Sequence, residues 1–355
     1  MIGVEVFAGA GGMSIGAGMA GINVKMAVEI DSFAAETFIK NHPQALMFND
    51  DIRKLKQINV NVRKNEQKIL FGGPPCQGFS KSNHRTRNIE NPNNWLFKEF
   101  VRVAKEWKPD WIVLENVRGL LQTERGIFID EITKSFGKLG YSVNYKILNA
   151  VDFGVPQNRE RLFIVGSLHG VNFQFPHKKV KKIISVKEAL ADLPLLNNGD
   201  SFYELPYKTN RIGNYAKELR NSSKMSLNNS VSRNSDLVLK RYEHIPQGGN
   251  WQDIPKKMMK TYEDSSRCHT GIYHRLDENK PAVVIGNYRK NMLIHPTQNR
   301  GLSVREAARL QSFPDAFEFH GFLGNQQQQV GNAVPPLLAK SIFNEIIKYV
   351  GNSEL

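Results

Sequence analysis

The sequence predicts an α/β fold: a Rossmann-like, mainly parallel sheet with helices on both faces, joined to a smaller, loop-rich second domain. Three observations carry this expectation. From the N-terminus to about Leu168, short apolar runs of β-forming residues alternate with amphipathic stretches, the rhythm of a parallel sheet with crossover helices. A glycine-rich turn, Phe7-Ala8-Gly9-Ala10-Gly11-Gly12, follows the first run directly. After Pro176 the texture becomes rich in Lys, Asn and Ser with weak periodicity, as in Asn221-Ser222-Ser223-Lys224 and Asn228-Asn229-Ser230.

Taken in order, the expected strands are Val4–Phe7, Val24–Val28, Ala45–Phe48, Ile69–Phe71, Trp111–Leu114, Val143–Leu148 and Leu162–Val165. Each is a short apolar run of the kind buried on both faces of a sheet. The clearest helix between them is Trp95–Trp107, where Leu96, Phe97, Phe100, Val101, Ala104 and Trp107 recur at helical spacing. Helical spacing returns near Val304, with Ala307, Ala308 and Leu310, and closes the chain over Leu337–Val350. No internal repeat is present.

At 355 residues the chain is long enough for one large domain and one smaller one. No apolar run approaches the roughly 20 residues that span a bilayer, and the N-terminus lacks the basic start and apolar stretch of a signal peptide. These features predict a cytoplasmic protein that is not bound to a membrane. The two cysteines, Cys76 and Cys268, lie far apart without CxxC spacing, so neither a disulfide framework nor a metal site is expected. The net charge is +14, and Pro176 to Arg300 holds 22 Lys and Arg against 12 Asp and Glu. Such an excess favours a polyanionic partner, with nucleic acid first.

Ligands of an open parallel sheet bind beyond the carboxyl ends of its strands. The segments that follow the expected strands are therefore the place to look for chemistry. The glycine turn departs from G-x-G-x-x-G because Ser14 stands at the third glycine, and no phosphate-anchoring Lys-Ser/Thr pair follows. With Glu29 after the second strand to accept ribose hydroxyls, an adenosyl cofactor fits. The fourth strand runs into Gly73-Pro74-Pro75-Cys76-Gln77-Gly78-Phe79-Ser80, where prolines stiffen and glycines open the backbone around a thiol near basic residues, a setting that favours the nucleophilic thiolate. Glu115 ends the fifth strand at the edge of the core, a place for a proton-carrying acid. In Gln157-Asn158-Arg159-Glu160-Arg161, alternation points Gln157, Arg159 and Arg161 to one side, where two guanidiniums suit an oxygen-rich ligand.

Together these segments resemble the DNA (cytosine-5) methyltransferase family of prokaryotic, S-adenosylmethionine-dependent type. Phe7-x-Gly9-x-Gly11-Gly12, Pro74-Pro75-Cys76-Gln77, Glu115-Asn116-Val117, Gln157-x-Arg159-x-Arg161, Arg305-Glu306-Ala307-Ala308-Arg309-Leu310-Gln311-x-Phe313-Pro314 and Gln329-x-Gly331-Asn332 occur in the family's order and span nearly the whole chain. The resemblance implies a catalytic and cofactor-binding domain over residues 1–175, completed by 315–355. A target-recognition domain and hinge would occupy 176–314, coinciding with the basic region.

It further implies that Cys76 attacks carbon 6 of a cytosine flipped out of double-stranded DNA. Glu115 would contact N3 and the exocyclic amine, and Arg161 the carbonyl O2, with Arg159 and Gln157 counted among the catalytic residues. S-adenosylmethionine, leaving as S-adenosylhomocysteine, would lie against Phe7, Ala10, Gly12, Glu29, Ile30, Asp51, Ile52, Pro75, Leu96, Asn332 and Ala333. Many relatives carry Ser where Ala333 stands. The polar, cationic run Ser80–Arg87 resembles the loop that closes over DNA, with Ser80 on a phosphate, Ser82 near the vacated base, Gln77 in support and Arg85 on the backbone. Base-edge contacts are expected from Gly249, Asn250, Arg267, His269 and Arg275. The chain would act as a monomer near the nucleoid, as an orphan methylase or beside a restriction endonuclease of the same specificity.

Rival readings fit less well. Amino-group methyltransferases place an aromatic residue where Cys76 stands, and the tRNA-methylating branch has a Cys-Phe-Thr signature absent here. A non-catalytic regulator would lack the thiol or the acid, and a nicotinamide oxidoreductase has no use for the basic region.

Overall fold

The computed structural model describes residues 1–75, 95–122, 126–180, 182–259, 271–286 and 288–351. In chain order its elements begin with β1 (Ile2–Val6), α1 (Gly12–Met19), β2 (Asn23–Val28), α2 (Ser32–Asn41), β3 (Leu46–Phe48), β4 (Lys68–Gly72), α3 (Phe97–Trp107), β5 (Trp111–Val117), α4 (Ile127–Lys138), β6 (Ser142–Asn149) and β7 (Glu160–Ser167). They continue with α5 (Val186–Leu190), β8 (Ser201–Pro206), α6 (Asn214–Arg220), β9 (Met225–Ser230), α7 (Asp236–Glu243), α8 (Val304–Leu310), α9 (Leu323–Asn332) and α10 (Pro336–Gly351).

The chain divides into two compact units. One comprises Met1–Phe153, Glu160–Lys179 and Pro336–Leu355, the other Gly154–Arg159 and Val180–Pro335. Residues 315–335 thus pack within the second unit, so compactness divides the chain at other residues than those expected for the functional domains.

The first unit is built on a seven-stranded sheet of order β3-β2-β1-β4-β5-β7-β6. All its pairings are parallel except those of β7, which runs against both β5 and β6. Because side chains alternate along a strand, the two faces collect different helices. Val4, Leu70, Ile112, Leu114 and Ile164 point to the face covered by α3 and α4, through Phe100, Val103, Phe128 and Phe136. On the other face Phe71 meets Phe343 of α10 edge-on, with ring centres 5.0 Å apart, and Trp111 packs on Tyr349 of the same helix. Helix α10 lies along α1, so close that a Cβ on Gly16 would sit 2.6 Å from the Cβ of Ala339. Pro336 is the first residue of α10, where its missing N–H costs nothing and its fixed φ suits the helix.

The sequence-predicted strands all form, with ends shifted by up to three residues, as where β5 runs on to Val117. Phe7 is not in β1, because its φ of +56° turns the chain into the left-handed region. Helix α3 starts at Phe97 rather than Trp95, and its apolar stripe buries Phe97, Phe100, Val103 and Ala104.

In the second unit β8 and β9 form an antiparallel pair. Helix α8 is buried from end to end, and Phe313, Phe317 and Phe319 stack with ring centres 4.8–5.1 Å apart. A separate small core gathers Tyr242, Ile245, Ile254, Tyr273 and Ile294.

Candidate active site

The strand order places β1 between β2 and β4, so the sheet changes direction of winding beside the carboxyl end of β1. A crevice opens at such a point in an open α/β sheet. Phe7, Gly9 and Gly11 all have positive φ, which folds the turn back beneath β2 before α1 begins. Glu29, just past β2, is held between two main-chain donors: the Gly9 amide reaches Oε2 at 2.7 Å and the Asp31 amide reaches Oε1 at 2.9 Å. Burial raises the proton affinity of this carboxyl, and these two N–H bonds work against that rise. A carboxylate fixed in this way keeps lone pairs for a further donor.

Around it lie other residues expected at a nucleoside. Ile30 is 68% exposed, a flat apolar group turned to solvent, whereas Ile52 is buried. Asp51 accepts from the Arg53 amide and guanidinium, which holds its carboxyl down to about 2. Ala10 and Gly12 are buried within the glycine turn, while Pro75 and Leu96 are half-buried. From Phe7 to Ala20 the chain has no charged side chain. The turn therefore offers main-chain groups and a ribose-type acceptor with no cation for a phosphate, a donor set that fits an uncharged nucleoside better than a nucleotide.

On the neighbouring strands the second half of the site is assembled from β4, β5 and β7. Glu115 lies two residues before the end of β5 and is 9% exposed. Its Oε1 forms an ion pair with Nε of Arg161 at 2.9 Å, the arginine reaching across from antiparallel β7. The backbone passes close to the acid here: a Cβ on Gly73 would meet Oε2 of Glu115 at 2.8 Å and push the carboxylate aside. Asn116 donates from Nδ2 to the Pro74 carbonyl at 3.2 Å. The Gly73-Pro74-Pro75 segment is thereby fixed against the acid at the end of β5, one residue before Cys76. Cys76 itself, with Gln77, Ser80, Ser82, Arg85, Arg267, Cys268 and His269, lies outside the described residues.

Two expectations are corrected. Gln157 and Arg159 do not form a ligand-facing row with Arg161. Both are buried in the second unit, where Gln157 binds the Leu310 carbonyl and the Ile285 amide, and Arg159 donates to the carbonyls of Ile285, Gly331 and Ala333. The Arg159 side chain holds the backbone that carries Asn332 and Ala333, and that of Gln157 ties Leu310 to Ile285. Arg275 is likewise no base reader: it is buried and donates to the carbonyls of Ile245, Tyr242, His295 and Gln298. With Oδ1 of Asn299 as a fifth acceptor, all five N–H donors of this guanidinium are committed to the scaffold. Asn250 caps a short 3-10 turn through Gln252 and Asp253, and the Gly249 carbonyl accepts from Arg275.

One pair went unread. Glu5, in the middle of apolar β1, is buried and accepts from both the amide and the hydroxyl of Ser14. Burial pushes its carboxyl up to about 8, the Ser14 bonds acting against the rise. The signal available was an acid inside an otherwise apolar strand, followed nine residues later by the serine that replaces a glycine.

Among the described residues no cluster of His, Cys, Asp and Glu is arranged to hold a metal, and no helix is long and apolar enough to cross a membrane.

The family model described as C-5 cytosine-specific DNA methylase matches residues 1–348. Among curated relatives, the type II methyltransferase M1.HphI of Haemophilus parahaemolyticus is 38% identical over 97% of this chain and 86% of its own length. The type II methyltransferase M.DdeI of Desulfomicrobium norvegicum is 33% identical over 99% and 90%. Among solved structures, a prophage-encoded protein of Escherichia coli described as a DNA modification methyltransferase superposes with a TM-score of 0.79 at 25% identity, covering 99% of both chains. A methyltransferase of Entamoeba histolytica shares the fold at a TM-score of 0.64 and 15% identity.

Proposed function

This chain belongs to the C-5 cytosine-specific DNA methylase family and is a DNA (cytosine-5) methyltransferase, and from that premise we propose that it modifies a flipped cytosine through a covalent bond to Cys76. Glu115 carries the reading. It is a largely buried carboxylate, paired with Arg161, near the strand end beside the segment that leads to the thiol.

In the proposed course the Cys76 thiolate adds to carbon 6, and the electron pair displaced toward the ring makes carbon 5 nucleophilic. Glu115 holds N3 and the exocyclic amine, with a proton shared at N3, and Arg161 faces the carbonyl O2, so that charge developing on the ring meets fixed partners. S-adenosylmethionine supplies an electrophilic methyl group for carbon 5 and leaves as S-adenosylhomocysteine. Loss of the carbon 5 proton and elimination of Cys76 then restore the aromatic ring. Carbon 6 is out of reach inside a duplex, so the base is turned out at a cost of a few kcal/mol, offset by cationic contacts to the backbone.

For the cofactor, Glu29 would take the ribose hydroxyls, Ile30 and Ile52 would flank the adenine with Phe7 nearby, and Asp51 would accept from its amine. Ala10, Gly12, Pro75 and Leu96 line the remainder, while Asn332 and Ala333 are assigned to the same cofactor. Gln77, Ser80, Ser82 and Arg85 are proposed for the DNA backbone and the vacated base position, and Gly249, Asn250, Arg267 and His269 for the target sequence. Residues 1–175 with 315–355 are assigned to catalysis and 176–314 to target recognition, in keeping with the basic charge of that stretch. The type II relatives favour the modification half of a restriction-modification system, acting as a cytoplasmic monomer on nucleoid DNA.

Expression in a methylation-deficient bacterium followed by genome-wide bisulfite sequencing tests the reading. A methylated cytosine recurring within one short sequence is expected; a genome without new 5-methylcytosine would overturn it.

A further inference from the structure

The second unit contains a cavity of about 440 Å³ that the proposed chemistry does not use. Three segments meet around it: Ser232–Asn234, the stretch from Tyr288, and the first turn of α9. No Asp or Glu lines it, whereas Arg233 and Arg289 do, and both guanidiniums are exposed with no acidic partner among the described residues.

Helix α9 has no side-chain cap. The amides of Asn325 and Gln326 turn back to the Phe322 carbonyl, which leaves those of Leu323 and Gly324 without a partner among the described residues. Arg289 lies against this turn, its Nη1 only 3.3 Å from where a Cβ on Gly324 would stand. Tyr288, 2% exposed, also lines the cavity, and its buried hydroxyl has no hydrogen-bond partner among the described residues. The Nε2 of Gln327 is turned away to donate to Ser232, and its Oε1, an acceptor only, adds nothing to the donors here.

Free amides at a helix start, two unpaired guanidiniums and an unused hydroxyl around one cavity form a donor set for a tetrahedral oxyanion. We propose that this cavity takes a backbone phosphate of the DNA substrate, seated on the first turn of α9 between Arg233 and Arg289. The proposal rests on the DNA reading above and adds to it an anchor that positions the duplex without reading its sequence.

The test uses the full chain, a duplex bearing the mapped target and an unrelated duplex, with binding measured over a range of salt concentrations. The double variant Arg233→Gln/Arg289→Gln should weaken both duplexes alike and reduce the steepness of log K against log salt by about 1. Replacing single phosphates by neutral methylphosphonates should reveal one position that costs the wild type about tenfold in affinity and costs the double variant nothing. Tyr288→Phe, which keeps the ring and removes only the hydroxyl, should weaken binding at that same phosphate without lowering the melting temperature. An unchanged slope and affinity in a double variant whose parent methylates DNA overturns the cavity alone. Loss confined to the target duplex overturns it too, since that would mark base readout. A wild type that binds neither duplex overturns the DNA reading with it.

Discussion

A carboxylate without a cation is costly in a strand core, and Glu5 avoids that cost by holding its proton. Its ordinary value of 4.5 rises to about 8 on burial, so between those values the folded chain binds a proton that the unfolded chain releases. Stability from this group is therefore complete below about pH 4.5 and is lost as pH rises through 8. Glu5→Gln keeps an acceptor for Ser14 and removes the titration. The variant should be more stable than the parent at pH 9 by on the order of 2 kcal/mol and much closer to it at pH 5, as read by urea unfolding; a difference independent of pH would count against a protonated Glu5. At the reacting end of the sheet, Cys76→Ser should abolish 5-methylcytosine while leaving the affinity for S-adenosylmethionine, measured by calorimetry, within a few-fold of the parent. Glu115→Gln should lower kcat by about a hundredfold or more, because the amide cannot share the proton at N3. Retention of parental kcat would remove Glu115 from the chemistry.

Among the elements, α8 shows how a family signature can be structural. Arg309 donates to Asp192 at 2.9 Å, to Asp315 and to the Ala189 carbonyl, all inside the second unit. Arg309→Ala would take the guanidinium away from buried Asp315, while Asp192 keeps Arg220 at 2.7 Å, and should cost about 3–5 kcal/mol by chemical denaturation, without touching the rim of the sheet. From sequence, α3 and all seven sheet strands were legible because apolar periodicity states which face is buried. The direction of β7 was not, since an apolar run reads the same in parallel and antiparallel pairing. Arg275 and Arg159 misled for a related reason: a cationic residue between polar neighbours looks like a ligand contact, and only the carbonyls that converge on it show otherwise. The placement of Glu29 and Glu115 at one rim was legible because strand ends in a parallel sheet point the same way, whereas the cavity by α9 depends on segments some ninety residues apart.

Across the whole molecule, acid acts unequally on the two units. In the second unit burial alone would raise Glu306, but Arg300, with the Ser303 amide, holds it down to about 2, and Arg309 likewise lowers Asp315. Their stabilising contribution is present above the ordinary carboxylate range and is lost as pH falls toward 2. Glu5, neutral already, adds no such loss to the first unit. Pepsin at pH 2.5 should therefore cut first within 180–335, with peptide mapping as the readout; first cuts in the sheet strands would contradict this order.

The contact between α1 and α10 also bears on how the protein is made. Gly16 and Ala339 are more than three hundred residues apart in the chain, so a nascent polypeptide holds its first strands, glycine turn and α1 with one flank bare until Pro336–Gly351 has left the ribosome. Phe71 and Trp111 wait for Phe343 and Tyr349 throughout that interval. A half-made chain therefore lacks the buttress behind its glycine turn, and translation must run through α10 before that face of the sheet is covered.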